Sequence, residues 1–201
     1  MQILHIDSSI LGGFSVSREL TKAAVAELVA KNPGAKVEVL DLAVAAPSYL
    51  TADALALTGD AATLTDAQKR ENAVTDGLIK QLEASDVIVI GAPMYNFSIP
   101  AQLRAWIDRV LQAGRTFKYV DGAPVGLVTG KRAVVALSRG GVYSNSDAGN
   151  AMEHQESYLR TVLGFIGVTD VTFVRAEGLS YGAEVKEKSV AKATQEIAQA
   201  V

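Results

Sequence analysis

A short run of β-branched residues, Asp86-Val-Ile-Val-Ile-Gly91, constrains the fold of this chain more than any other stretch. The run is too short for a typical helix and is apolar on both faces, which is typical of a buried central strand in a parallel sheet. After the stretch 91–100, apolar residues recur from Leu103 to Leu111 with the spacing of one buried helix face. The pattern predicts a strand, then a loop, then a helix.

The same alternation runs through the whole chain. Strands are predicted over residues 2–7, 36–41, 86–91, 131–138 and 170–175. Helices are predicted from about Ser17, near 51–57, after Thr65, after Pro100, over 152–166 and over 183–200. The polar segment 142–151 is predicted to be a loop, and Asp121-Gly122 between two β-prone runs predicts a small hairpin within 116–128.

Five strands that alternate with helices favour a doubly wound α/β fold with a parallel sheet. The dinucleotide-binding version of this fold carries G-x-G-x-x-G after its first strand, and nucleotide triphosphatases carry G-x-x-x-x-G-K-[ST]. Neither motif occurs in this chain. We therefore predict the flavodoxin-like strand order 2-1-3-4-5. No repeat, low-complexity tract or linker divides the sequence, so residues 1–201 are predicted to form a single domain.

Composition excludes several classes of function. The chain has no cysteine, which removes disulfides, thiolate metal sites and cysteine nucleophiles, and its two histidines, His5 and His154, lie far apart in the sequence. No metal site is predicted. A net charge of −3 leaves no basic excess for binding nucleic acid. No apolar run has membrane-spanning length and no signal segment precedes the first strand, so we expect a cytoplasmic protein without a membrane partner.

The loop after the first strand is a candidate anion site. It is rich in small hydroxyl residues and leads into the start of a helix, where backbone N–H groups lack intrahelical partners. The residues concerned are Ser9, Ser15, Val16 and Ser17. Because the loop has no lysine, a single phosphate group fits it better than a triphosphate. The alternative is that these serines only cap the helix and form a turn.

Two further loops follow strand ends that meet at the same edge of the predicted sheet. One contributes an aromatic and amide cluster, Met94, Tyr95, Asn96 and Phe97, and the other contributes a glycine pair, Ser138, Arg139, Gly140 and Gly141. Glycines let backbone amides approach a ligand closely. Together with the anion loop, they predict a site for a planar ring that carries a phosphate. The alternative is a loop anchored by buried aromatic residues. The nearby Glu153, His154 and Glu156 are predicted to form a solvated face.

The sequence resembles the FMN-dependent NADH azoreductases, a bacterial flavodoxin-like family that also reduces quinones. The match covers essentially the whole chain, and its most specific part is the P-M-Y-N-F-x-x-P motif within 93–100. Other matching segments are Asp7-Ser-Ser9, Ser15-Val-Ser17, Trp106-Ile-Asp108, Phe117-Lys-Tyr119, Gly126-Leu-Val-Thr-Gly130, Arg139-Gly-Gly141, Leu163-Gly-Phe-Ile-Gly167 and Ala176-Glu-Gly178.

The resemblance implies an FMN cofactor, with NADH as electron donor, NADPH as an alternative donor, and quinones or azo compounds as acceptors in a ping-pong cycle. The flavin N5 would carry the hydride, so no catalytic side chain is implied. The serine loop would hold the phosphate, residues 94–97 would lie against the ring and ribityl chain, and residues 138–141 would bond the pyrimidine side. The resemblance also implies a homodimer with active sites at its interface and a substrate pocket that includes Leu50, Tyr119 and Phe165.

Two other classes of function share this fold. A flavodoxin-type electron carrier would bind FMN without turning over a small substrate, and a regulator or scaffold would bind no flavin. Carriers of this type tend to be strongly acidic and to have a threonine-rich phosphate loop. This chain has nearly balanced charge and a longer loop of serine and glycine, which favours the reductase.

Overall fold

The computed structural model describes residues 1–55 and 62–201 and has a central parallel sheet. The strands are β1 (Gln2–Asp7), β2 (Lys36–Asp41), β3 (Val87–Pro93), β4 (Phe117–Val120), β5 (Ala123–Gly126), β6 (Arg132–Ser138) and β7 (Asp170–Ala176). The central sheet has the order β2-β1-β3-β6-β7, which confirms the predicted 2-1-3-4-5 order when only its own strands are counted. Strands β4 and β5 pair antiparallel, so the predicted hairpin is confirmed as well.

Helices cover both faces of the sheet. They are α1 (Val16–Lys31), α2 (Asp66–Ala84), α3 (Ala101–Val110), α4 (Asp147–Met152), α5 (Glu156–Ile166) and α6 (Ala183–Ala200). Apolar side chains of α1 and α6 pack on one face, and those of α2, α3 and α5 pack on the other. Strand β3 is buried along its whole length, as its β-branched sequence predicts. No helix within the described ranges is both long enough and apolar enough to cross a membrane.

Local sequence signals explain where several helices begin and end. The Ser15 side chain caps α1 by accepting a hydrogen bond from the backbone N–H of Arg18 at 3.3 Å. Thr65 and Gln68 form a reciprocal capping box at the start of α2. Helix α5 ends at Gly167, whose φ of 101° lies in the left-handed region that glycine adopts without a Cβ clash.

Two sequence predictions need correction. The segment 142–151 is not all loop, because α4 begins at Asp147, where the Ser146 side chain accepts a hydrogen bond from the Gly149 N–H at 3.1 Å. As a result, the next helix begins at Glu156 rather than at 152. Residues 52–55 form turns rather than the start of the predicted 51–57 helix, and the remainder of that helix lies outside the described residues.

Strand register brings the three candidate loops to one edge of the sheet. Asp7 of β1 pairs with Gly91 of β3, and Pro93 of β3 pairs with Ser138 of β6. The loops that follow these three strands therefore leave the same carboxyl edge. The loops after β1 and β3 flank the point where the strand order reverses, which is where open α/β sheets bind ligands.

Candidate functional site

A cavity of about 230 Å³ lies at the carboxyl edge of the sheet. All three predicted loops contribute to its lining: Ser9, Ser15 and Val16; Met94 and Tyr95; Ser138, Arg139 and Gly140. Of the remaining predicted residues, Asn96, Phe97 and Gly141 lie in the same loops, and Ser17 is the second residue of α1, next to the lining residue Val16. The structure therefore brings together the three loops that the sequence pointed to.

The start of α1 forms one end of this cavity. Ser15 caps the helix, and its hydroxyl lies 3.1 Å from the buried Ser17 hydroxyl. The backbone N–H groups of Val16 and Ser17 donate to no acceptor among the described residues. Two hydroxyls and two free amides at a helix N-terminus form a donor set suited to an anion.

Arg18 holds the loop that carries this donor set. Its Nε and one terminal nitrogen donate to the Ser9 carbonyl at 3.1 and 2.8 Å. Its two terminal nitrogens also donate to both carboxylate oxygens of Asp41 at 2.7 and 2.6 Å, and one lies 3.5 Å from Asp7. The bonds to Asp41 raise the pKa of Arg18, and those from Arg18 lower the pKa of Asp41. The charge of Arg18 is therefore balanced within the scaffold.

The loop after β3 forms a tight two-residue turn. Tyr95 and Ser98 exchange backbone hydrogen bonds of 2.9 and 3.1 Å, and between them Asn96 and Phe97 have φ values of 49° and 71°. Positive φ at both central positions is typical of a type I′ turn, where glycine is favoured at the second position. Phenylalanine there is strained, and its ring contacts the Tyr143 ring edge-on at a centroid distance of 6.3 Å.

Tyr95 joins the first two loops. Its hydroxyl lies 3.2 Å from the Ser9 hydroxyl and accepts a hydrogen bond from the Ile10 N–H at 3.3 Å. In addition, the Met94 N–H donates to the Ser138 carbonyl at 2.8 Å, which joins the second loop to the third. These bonds fix the relative positions of all three loops around the cavity.

Arg139 is buried, and its guanidinium is fully engaged by protein groups. Its Nε donates to the Gln155 side chain at 2.8 Å, and its terminal nitrogens donate to Glu177 at 2.8 Å and to Glu153 at 3.2 Å. The Gln155 amide then donates to the Ala92 carbonyl at 2.7 Å, below the loop after β3. Arg139 therefore borders the cavity while its side chain joins two strand ends.

Glu153 and Glu156 do not form the predicted solvated face, because each side chain is only 12% exposed. Glu153 accepts from Arg139 and from the backbone N–H groups of Gln155 and Glu156 at 2.7 and 2.6 Å. Burial raises the pKa of Glu156, but hydrogen bonds from Arg175 and Arg160 outweigh it, and the pKa is lowered. No sequence pattern marks these contacts, since Arg139 and Glu153 are joined only by the fold.

The predicted substrate residues cluster at a different place. The Phe117 ring contacts the Phe165 ring at 4.6 Å and the Tyr119 ring at 5.8 Å, measured between centroids. Leu50 and Phe117 both line a second cavity of about 290 Å³. Among the described residues, none lines both cavities. The structure thus groups Leu50, Tyr119 and Phe165 around Phe117, apart from the three loops.

Comparisons with known proteins agree with this geometry. The family model for the flavodoxin-like fold matches residues 1–201. An FMN-dependent NADH:quinone oxidoreductase of Delftia acidovorans is 57% identical over 201 residues, covering 100% of this chain and 94% of that protein. One from Polaromonas naphthalenivorans is 59% identical over 198 residues, covering 98% and 91%.

Solved structures show the same relationship. An azoreductase from Bacillus anthracis superposes with a TM-score of 0.91 at 30% identity, covering 99% of this chain and 97% of that one. An FMN-dependent NADH-azoreductase from the same species, solved in complex with FMN, has a TM-score of 0.87 at 24% identity and covers 99% of each chain. At that identity, the second similarity shows the fold alone.

Proposed function

The chain belongs to the flavodoxin-like family that includes the FMN-dependent NADH:quinone oxidoreductases, and from this premise we propose that it is an FMN-dependent oxidoreductase. It transfers two electrons from NADH to quinones and azo compounds. The observation that carries this proposal is the convergence of the three predicted flavin-contacting loops on one cavity. We also propose that residues 1–201 form one FMN-binding domain.

The donor groups around the cavity fit FMN. Ser9, Ser15 and Ser17, with the free amides at the start of α1, would hold the phosphate. The backbone N–H groups of Asn96, Phe97, Gly140 and Gly141 also donate to no acceptor in the described part of the chain. On this proposal these amides would bond the polar edge of the ring, Met94 and Tyr95 would hold the ring, and Ser138 with the two glycines would bond its pyrimidine side.

The bound flavin would supply the redox chemistry, accepting hydride at N5 and passing two electrons to the acceptor, while the protein supplies position and electrostatics. No side chain at the cavity needs to act as a nucleophile. On this proposal, donor and acceptor would use the same place at the cavity in turn. This supports ping-pong kinetics.

We further propose that two copies assemble with their active sites at the interface. Beside the cavity, Phe14 is 91% exposed, and Ile10 and Leu11 are also exposed, which is typical of a surface that contacts another protein. The Phe117 cluster shares no lining residue with the cavity of its own chain. In a homodimer, Leu50, Tyr119 and Phe165 of one protomer would complete the substrate pocket over the flavin of the other.

The test is the visible spectrum of the purified protein, followed by anaerobic mixing with NADH and, separately, with NADPH. A yellow protein that either nucleotide bleaches and that a quinone then reoxidises supports the reductase. A yellow protein that neither nucleotide reduces would instead be an electron carrier, and a protein that FMN cannot reconstitute would refute both. Because reduced nicotinamide is regenerated in the cytoplasm, we place the enzyme there, and cell fractionation tests that location.

The assembly has a separate test. Sedimentation velocity at micromolar concentration is expected to show a dimer. A monomer that retains full quinone reductase activity would contradict the shared site.

A further inference from the structure

Lys186 is a basic residue at the cavity that the three loops form, and no described residue neutralises its charge. It lies near the start of α6 and lines the cavity together with Phe14 and Leu179. Its ammonium group makes no ion pair and no side-chain hydrogen bond with any residue in the ranges 1–55 and 62–201. Glu19 and Glu187 line a groove that Lys186 also borders, but neither pairs with it.

The other basic side chains near the cavity are neutralised by the protein itself. Arg18 is held by both oxygens of Asp41 and lies 3.5 Å from Asp7. Arg139 is surrounded by Glu153, Glu156 and Glu177 within 3.6 Å. The charges of both arginines are therefore neutralised by carboxylates of the protein. Among the described residues that line the cavity, Lys186 is the cation whose charge is not neutralised in this way.

A phosphate monoester carries a charge of roughly −1.5 to −2 at neutral pH. The serine hydroxyls and the amides of Val16 and Ser17 offer hydrogen bonds and a fraction of a positive charge, but no full counter-charge. We propose that Lys186 supplies this counter-charge and that it thereby makes the protein prefer FMN over riboflavin. The proposal rests on the proposed function, because it assumes that the cavity holds the flavin phosphate.

The experiment measures binding of FMN and riboflavin to flavin-free protein by the quenching of flavin fluorescence. Lys186 is exposed, so Lys186→Gln is expected to weaken FMN binding about threefold to fivefold at low salt, the upper size of one exposed charge interaction, and to leave riboflavin binding unchanged. The difference should shrink as salt is added, because screening weakens an exposed pair. Lys186→Arg should retain wild-type selectivity.

Lys188→Gln is the matched control. Lys188 is on the same helix, pairs with Glu184 at 2.6 Å and does not line the cavity. It should bind both flavins as the wild type does. Unchanged FMN affinity in Lys186→Gln, or an equal loss for FMN and riboflavin, would overturn the role of Lys186 alone. Wild-type protein that binds neither flavin would overturn the proposed function and this assignment with it.

Discussion

Two arginines brace the loops around the cavity, and they do so in contrasting surroundings. The side chain of Arg18 is 19% exposed and ties the loop after β1 to the end of β2. That of Arg139 is 1% exposed and ties the loop after β6 to the start of α5. Each makes charge-assisted hydrogen bonds to carboxylates and to a neutral oxygen. The difference between the two braces is access to water.

Water access determines how much each brace is needed. An exposed ion pair contributes little, because water solvates the charges almost as well as the partners do. A buried charge has no such alternative, so removing its partner leaves an uncompensated charge in the interior. The Arg18 brace is partly exposed, with Asp41 at 31%, so water can replace part of what it supplies, whereas the loop after β6 depends on a buried network. The following variants test this contrast.

Arg139→Met is expected to have the largest effect. It leaves Glu153 and Glu177, each 12% exposed, without their cation, and breaking such a buried network costs about 3–5 kcal/mol. Urea unfolding measures the free energy of unfolding. The control is Arg160→Met, which removes a 60% exposed partner of Glu156 and should cost no more than about 1 kcal/mol. Equal losses in the two variants would show that burial does not set the difference.

Arg18→Met should lower the free energy of unfolding less than Arg139→Met does, and it should also lower the affinity for FMN. It removes the bonds to the Ser9 carbonyl and to Asp41, together worth about 1–2 kcal/mol at a partly exposed site, while Asp7, 9% exposed and 3.5 Å from Arg18, keeps its hydrogen bond from Thr21. Because Ser9 lines the cavity, FMN affinity should also fall in a binding titration. The control Arg104→Met breaks an exposed pair with Asp108 and should leave affinity unchanged. A loss of stability as large as that of Arg139→Met would contradict the contrast.

Acid should weaken the contacts of both arginines. Its effect on the free energy of unfolding should be smaller than that of either substitution. Burial raises the pKa of Glu177, but hydrogen bonds from Ser144 and Arg139 outweigh it, and Arg18 lowers the pKa of Asp41. A carboxyl group whose pKa is lower in the folded state contributes stability above its unfolded pKa and loses it as pH falls through the folded value. The unfolding free energy should therefore decline below about pH 4.5, the ordinary value for glutamate.

Urea unfolding between pH 7 and pH 3 measures this decline. Glu177→Gln cannot titrate at that position, so its stability should fall less steeply with acid. An identical slope in the variant would show that Glu177 does not contribute.

The predictable parts of this structure are those with local causes. The β-branched run 87–90 and the Thr65 capping box act over a few residues, so strand and helix followed from sequence alone. The sequence does not predict helix α4, because its Gly149 and Asn150 are poor helix formers; a Cβ at position 149 would lie 2.7 Å from the Tyr143 carbonyl oxygen, so the close approach there requires glycine. Similarly, the cavity-lining serines could be predicted from their helix N-terminus. The partners of Arg139 could not, because their burial depends on the assembled fold.

The turn at Asn96 and Phe97 has a consequence for any directed evolution of this protein. A phenylalanine with a φ of 71° lies in a region that glycine enters without strain. A library screened for heat resistance alone should accumulate glycine at position 97. A library screened for flavin retention should keep phenylalanine, whose ring packs against Tyr143 beside the proposed ring site. The two screens would then select in opposite directions at a single codon.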